Sequence, residues 1–113
     1  MVLYNSLYID RRIKYFKMYL KIHKTHGHIL VAVCDKEILG TKICEGELEI
    51  EISERFYKGK IATAREVIEA LESATVANLF GKKAVTCAIE NGLVEKQNVI
   101  WINGIPHAQI YHL

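Results

Sequence analysis

The hydrophobic and polar positions of this chain change period several times, and each change marks an element. Leu20 and Ile22 alternate with Lys21 and His23, and the unbroken run Ile29-Leu30-Val31-Ala32-Val33-Cys34 follows after a short polar gap. Alternation puts successive side chains on opposite faces of a strand, whereas an unbroken β-branched run suits a strand buried on both faces. The pattern predicts strands over Tyr19–Lys24 and His28–Asp35, joined by the loop Thr25-His26-Gly27. With that loop, Lys24 is expected opposite His28 and His23 opposite Ile29. His23 and His28 would then face opposite sides of the sheet, so no metal site is expected at this histidine-rich tip. Asp35–Ile43, which contains Gly40, reads as a connector or one turn of helix. Glu47–Ser53 alternates again, with Leu48, Ile50 and Ile52 inward and Glu47, Glu49 and Glu51 outward, as in a half-solvated strand whose charges resist edge aggregation. Phe56-Tyr57-Lys58-Gly59-Lys60 reads as a turn with two aromatic anchors.

After Thr63 the period becomes helical. Thr63-Ala64-Arg65-Glu66 fits a capping box, and Ala64, Val67, Ile68 and Leu71 form one apolar stripe. A second helix is predicted from Ala74 to Asn91. Along it lie the small residues Ala74, Ala77, Gly81, Ala84 (or Val85) and Ala88, and Gly92 occupies the usual stop position. The closing hairpin runs from Asn98–Ile102 through Asn103-Gly104 to Ile105–Leu113, and Asn-Gly strongly favours a two-residue type I′ turn. The order β-β-β-α-α-β-β predicts an α+β fold: a mostly antiparallel β-sheet with two helices packed on one face.

Residues 1–17 have a different texture. Leu3, Tyr4, Leu7, Tyr8, Arg11, Arg12, Tyr15 and Phe16 recur at helix-like intervals, so the segment is expected to be a basic aromatic N-terminal extension, helical if ordered. Residues 18–113 are expected to form a single compact α+β domain. Charge sharpens this division. The 113 residues carry a formal net charge of +2, but residues 1–17 carry +3 and the remainder −1. A neutral body excludes a protein that coats nucleic acid by charge alone. Arg11, Arg12, Lys14 and Lys17, with Lys82 and Lys83 on the second helix, are the candidate phosphate contacts. The three cysteines are widely spaced with no CxxC pair, so no thiolate zinc site is expected and a reducing cytoplasm is implied. The longest apolar run is far short of the ~20 residues of a membrane span. No cofactor is expected: GxGxxG, GxSxG, HExxH and the phosphate-loop pattern are all missing.

The candidate chemistry concentrates at the C-terminus. The Asn103-Gly104 turn pairs Trp101 with Pro106, Ile100 with His107 and Asn98 with Gln109. His107, Gln109 and Tyr111 then share one face, and Trp101 packs beside Pro106 on the other. Pro106 lacks an N–H, so the side of its strand away from the hairpin must be an edge, a bulge or a break. Pro106, His107, Gln109 and Tyr111, with Asn78 as a polar partner, are the candidate ligand- or partner-binding residues. Arg55 and Tyr57 are candidate handles on the Ser53–Tyr57 loop.

Leu20-Lys21-Ile22-His23-Lys24-Thr25, Val31-Ala32-Val33-Cys34-Asp35, Phe56-Tyr57-Lys58-Gly59, Ala77-Asn78-Leu79-Phe80-Gly81, Gly92-Leu93-Val94 and Gly104-Ile105-Pro106-His107-Ala108-Gln109-Ile110 occur in an order that resembles the archaeal domain-of-unknown-function family 424. The resemblance covers Met18 to Leu113, departs at residues 1–17, and carries Lys58-Gly59 where the family has Gly-Gly. It implies an archaeal cytosolic protein and no particular activity. Three functions follow as expectations. The first is a non-enzymatic binding module associated with RNA or the translation machinery, with the basic arm on phosphates. The second is a small enzyme or small-molecule sensor with His107 in a pocket between the last hairpin and the second helix. The third is a structural subunit that forms a homo-oligomer through a sheet edge.

Overall fold

A computed structural model describes residues 12–112; residues 1–11 and Leu113 lie outside the described residues, and with them most of the predicted N-terminal helix. The fold is α+β, with a mostly antiparallel sheet, as the pattern of periods predicted. Strands β1 (Lys17–Thr25) and β2 (His28–Asp35) form the first hairpin. A small hairpin follows, β3 (Lys42–Glu45) and β4 (Leu48–Glu51), then the short helix α1 (Glu54–Tyr57) and strand β5 (Lys60–Thr63). Helix α2 (Ala64–Ser73), strand β6 (Val76–Phe80) and helix α3 (Lys82–Glu90) come next. Strands β7 (Ile100–Ile102) and β8 (Ile105–Tyr111) close the chain. Six strands form one sheet in the order β5-β1-β2-β6-β8-β7, with β2 and β6 parallel, and β3–β4 is a separate two-stranded sheet.

The helix face of the sheet carries Met18, Leu20, Val31, Val33, Ala77, Leu79, Ala108 and Ile110, all packed under α2 and α3 in one cluster. The capping box at the start of α2 is complete: the Thr63 hydroxyl accepts from the Glu66 N–H, and the Glu66 carboxylate accepts from the Thr63 N–H. Such a cap is worth about 1 kcal/mol. Among the described residues, the opposite face is covered only at the end where β2 and β6 finish. There Ala32, Cys34, Phe80 and Ile102 are roofed by Ile43, Ile52 and Tyr57 from the β3–β4 hairpin and α1.

Several expectations are corrected. The predicted helix Ala74–Asn91 is a strand followed by a helix. Val76–Phe80 is the central strand β6, and its small residue Ala77 serves close strand packing rather than a helix seam. Gly81, at φ +110°, then redirects the chain into α3. Asn78 is therefore on a strand. The β1–β2 loop has two residues, His26 and Gly27, both at positive φ, so Thr25 lies opposite His28 and Lys24 opposite Ile29. This one-residue slip reverses the expected facing, and His23 and His28 share a face. Glu47–Ser53 is not a strand of the main sheet. Leu48 stays 47% exposed, and only Ile52, beyond the end of β4, is fully buried. Asp35–Ile43 contains, besides a 3-10 turn, the beginning of β3. Cys34 and Cys87 are buried, and Cys44 on β3 is exposed. The body also begins before Met18: Ile13 is buried against α2, and Lys17 pairs with Thr63.

Candidate functional site: the open half of the sheet

Pro106 explains how β8 and β6 part. By register it stands opposite Gly81, where an antiparallel pair would exchange two backbone bonds. The Gly81 N–H donates to the Pro106 carbonyl at 2.9 Å, but Pro106 has no N–H to return. The Gly81 carbonyl instead accepts from the Val85 N–H at 3.0 Å, in the first turn of α3. The predicted break is thus the point where the strand becomes a helix. Trp101 lies opposite Pro106, as expected, and is 57% exposed on the helix side of the edge strand β7.

Asp35, at the end of β2, secures the same corner. Its buried carboxylate accepts from the Lys83 and Ala84 N–H groups at 3.0 and 2.8 Å, capping α3 from another strand. A Cβ at position 81 would lie 2.3 Å from the Asp35 Cγ, so only glycine fits there. Burial pushes the Asp35 carboxyl above its ordinary value, outweighing the two backbone bonds that pull it down. Lys83 is held by Glu37 at 2.8 Å, and Lys82 is exposed. The positive end of α3 is therefore already filled by a carboxylate of this chain.

His107 lies on the face away from both helices, so the expected pocket between the last hairpin and the second helix does not contain it. Its ring stacks on Phe80 with centroids 4.0 Å apart and planes 21° apart. Its Nδ1 lies 2.9 Å from the Leu79 carbonyl, which can only accept, so Nδ1 carries the proton and Nε2 presents a lone pair. Burial lowers the His107 pKa, with the Leu79 bond opposing, and the neutral ring is favoured. Next along the face, the Tyr111 hydroxyl donates to Gln109 Oε1 at 3.0 Å, and Gln109 Nε2 donates to Asn78 Oδ1 at 2.9 Å. Gln109 faces Asn78 across β8–β6. The expected Asn98 partner lies in a 3-10 turn before β7.

The structure thus gathers His107, Gln109, Tyr111 and Asn78 into one polar strip on a half-face that no other described residues cover. It does not bring the other candidates there. Tyr57 is buried within the roof, its ring edge-on to Phe80 and Phe56, and its hydroxyl pKa is raised by that burial. Tyr57 is therefore a packing residue, not an exposed handle. Arg55 is exposed on α1, and its carbonyl accepts from the Lys21 ammonium at 2.6 Å. Lys14, Lys17, Lys82 and Lys83 lie at the end of the sheet where β1 and α3 begin, nearer His107 and away from Asn78, Gln109 and Tyr111. Arg12 is exposed beside the first 3-10 turn, and Arg11 lies outside the described residues.

Sequence reasoning missed His23. Its ring stacks on Phe56 at 4.9 Å, and its Nε2 lies 2.9 Å from the Phe56 carbonyl. His23, Phe56, Tyr57, Phe80 and His107 therefore form a continuous aromatic ladder along the roof margin. The correct two-residue turn, legible as His26-Gly27, would have placed His23 on this face. Cys34 beneath the roof is inert, its thiol pushed up to about 12 by burial with Asp35 and Glu37 nearby.

The fold and this surface define a small α+β domain with one sheet face under helices and the other half-roofed. The chain belongs to the family described as protein of unknown function (DUF424), whose model matches residues 23–113. The match begins five residues after the expected start at Met18. The chain is similar to a solved structure described as an uncharacterized conserved protein from Methanopyrus kandleri. The two are 26% identical with a TM-score of 0.72, over 86% of this chain and 95% of that one. No curated protein matches at a significant level.

Proposed function

We propose that this protein is a non-enzymatic binding module that engages single-stranded RNA of the translation machinery in an archaeal cytoplasm. The observation that carries the reading is the Tyr111–Gln109–Asn78 relay on a half-sheet left open by the described residues, beside an acceptor at His107 Nε2. Exposed strands that present aromatic rings and amides recognise unstacked bases by stacking and by hydrogen bonds to base edges. Tyr111 is 63% exposed and can take a base on its ring. The Asn78 amide N–H groups and His107 Nε2 supply a donor and an acceptor. The half-face bears no Asp or Glu among its described residues: Thr25, His28, Leu30, Val76, Asn78, Ile100, His107, Gln109 and Tyr111 line it. The basic residues at the far end of the sheet would contact phosphates, which positions a strand without reading it. Cross-linking and filter binding with a random-sequence single-stranded RNA in low salt test the reading. Binding is expected to fall at least tenfold in the Tyr111→Ala, Asn78→Ala double variant. Absence of any RNA association in low salt overturns it.

A further inference from the structure

The other edge of the sheet carries a second surface. Strand β1 has nine residues, yet β5 covers only Lys17–Leu20 of it. The two-residue turn fixes which backbone groups point outward below that. Thr25 and His28 close the turn as a hydrogen-bonded pair, so His23 bonds toward β2, while Ile22 and Lys24 direct their N–H and C=O groups away from it. Neither residue makes a backbone bond on that side among the described residues. The side chains of Ile22 and Lys24 both point to the helix face. There they line a cleft of about 400 Å³ between the sheet and α2, floored by Ile22, Ile29 and Val31 and walled by Glu69, Ala70 and Lys60. Ile22 is 47% exposed although it continues the row of Met18 and Leu20. Lys60 is paired with Glu66, whereas Lys24 has no ion-pair partner among the described residues.

We propose that this edge and cleft form a strand-addition site for a short extended segment of another protein. The unpaired backbone groups select the occupant's conformation, since only an extended chain meets both Ile22 and Lys24 with donors and acceptors in step. Directly opposed residues share a face, so the side chain opposite Ile22 enters the apolar cleft and the one opposite Lys24 lies beside a free ammonium. Antiparallel pairing then reads acidic–any–apolar. Lys60 enters the sheet opposite Leu20, so the incoming segment must end or turn away once it passes Ile22.

The test uses the full chain and the labelled hexapeptide amide Ser-Thr-Thr-Glu-Thr-Ile, read by fluorescence anisotropy and by amide exchange. Binding should protect the Ile22 and Lys24 amides, which exchange freely without peptide. N-methylation of the peptide Ile nitrogen, which faces β1, should weaken binding about tenfold. N-methylation of the Thr between Glu and Ile, whose N–H points outward, should change nothing. Lys24→Glu should weaken binding about fivefold and be rescued by a peptide with Lys in place of Glu. Lys24 is exposed, and the methylated peptides leave the protein untouched, so misfolding does not confound the result. The proposal is overturned by no binding at millimolar peptide or by equal effects of the two methylations. Protection of Ile22 and Lys24 without peptide also overturns it: at every dilution it means the chain covers its own edge, and only at high concentration it means a second copy does.

Discussion

The helix face and the open half-face are built from the same strands in alternation, yet they obey different rules. Along β8, Pro106, Ala108 and Ile110 are buried while Gln109 and Tyr111 are exposed and His107 is half-buried between them. Along β6, Leu79 is fully buried and its neighbour Asn78 is not. On the helix face every buried position except Asp35 is apolar, and its energy comes from area removed from water, about 25 cal/mol per Å². On the open half-face the polar side chains satisfy one another across strands, and each such bond contributes only about 1 kcal/mol net. The helix face therefore holds the protein together, and the open half-face is free to differ without loss of fold.

That contrast can be broken most severely at the corner both faces share. Gly81→Ala is expected to cost about 3 kcal/mol or more, because the new Cβ strains a φ of +110° and displaces Asp35 from two buried N–H groups. Denaturant titration measures it, and a loss below 1 kcal/mol would show that the corner relaxes easily. Leu79→Ala should cost about 3 kcal/mol as a cavity in the helix-face core. Its sequence neighbour Asn78→Ala should cost no more than about 1 kcal/mol in the same titration. If the two costs are equal, the division between the faces is wrong.

The smallest effect is a pH dependence of opposite sign at two sites. The His107 pKa is lowered from 6.5 in the folded protein, so its contribution to stability is present above pH 6.5 and is lost as the pH falls through the folded value. The Asp35 pKa is raised from 3.8, so stability rises as the pH falls through its folded value toward 3.8. His107→Asn should therefore flatten the loss of stability on mild acidification, and a parent and variant with the same pH profile would refute the burial of that ring.

Much of this arrangement was legible in the chain because it is local. The Thr63 capping box, the Asn103-Gly104 turn and the alternation of β8 are each decided within a few residues, and all stand as predicted. The sharing of one face by His107, Gln109 and Tyr111 followed from period two alone. The errors lie where neighbours distant in sequence decided the outcome. Val76–Phe80 carries a helix-compatible string of small residues, but its place between β2 and β8 makes it a strand, since only a strand supplies both ladders with partners. Tyr57 became a roof over Phe80 because β3–β4 and α1 fold back over one half of the sheet.

The amino-acid sequence by itself determined the α+β class, the register of the final hairpin and the face that carries the polar strip. Periodicity and turn chemistry act through bonds only a few residues apart. Only the tertiary structure decided that Asp35 caps α3, that Asn78 meets Gln109, and that the described residues roof only half of one face. Each of those depends on which strands become neighbours, and that is settled by burial summed over the whole chain.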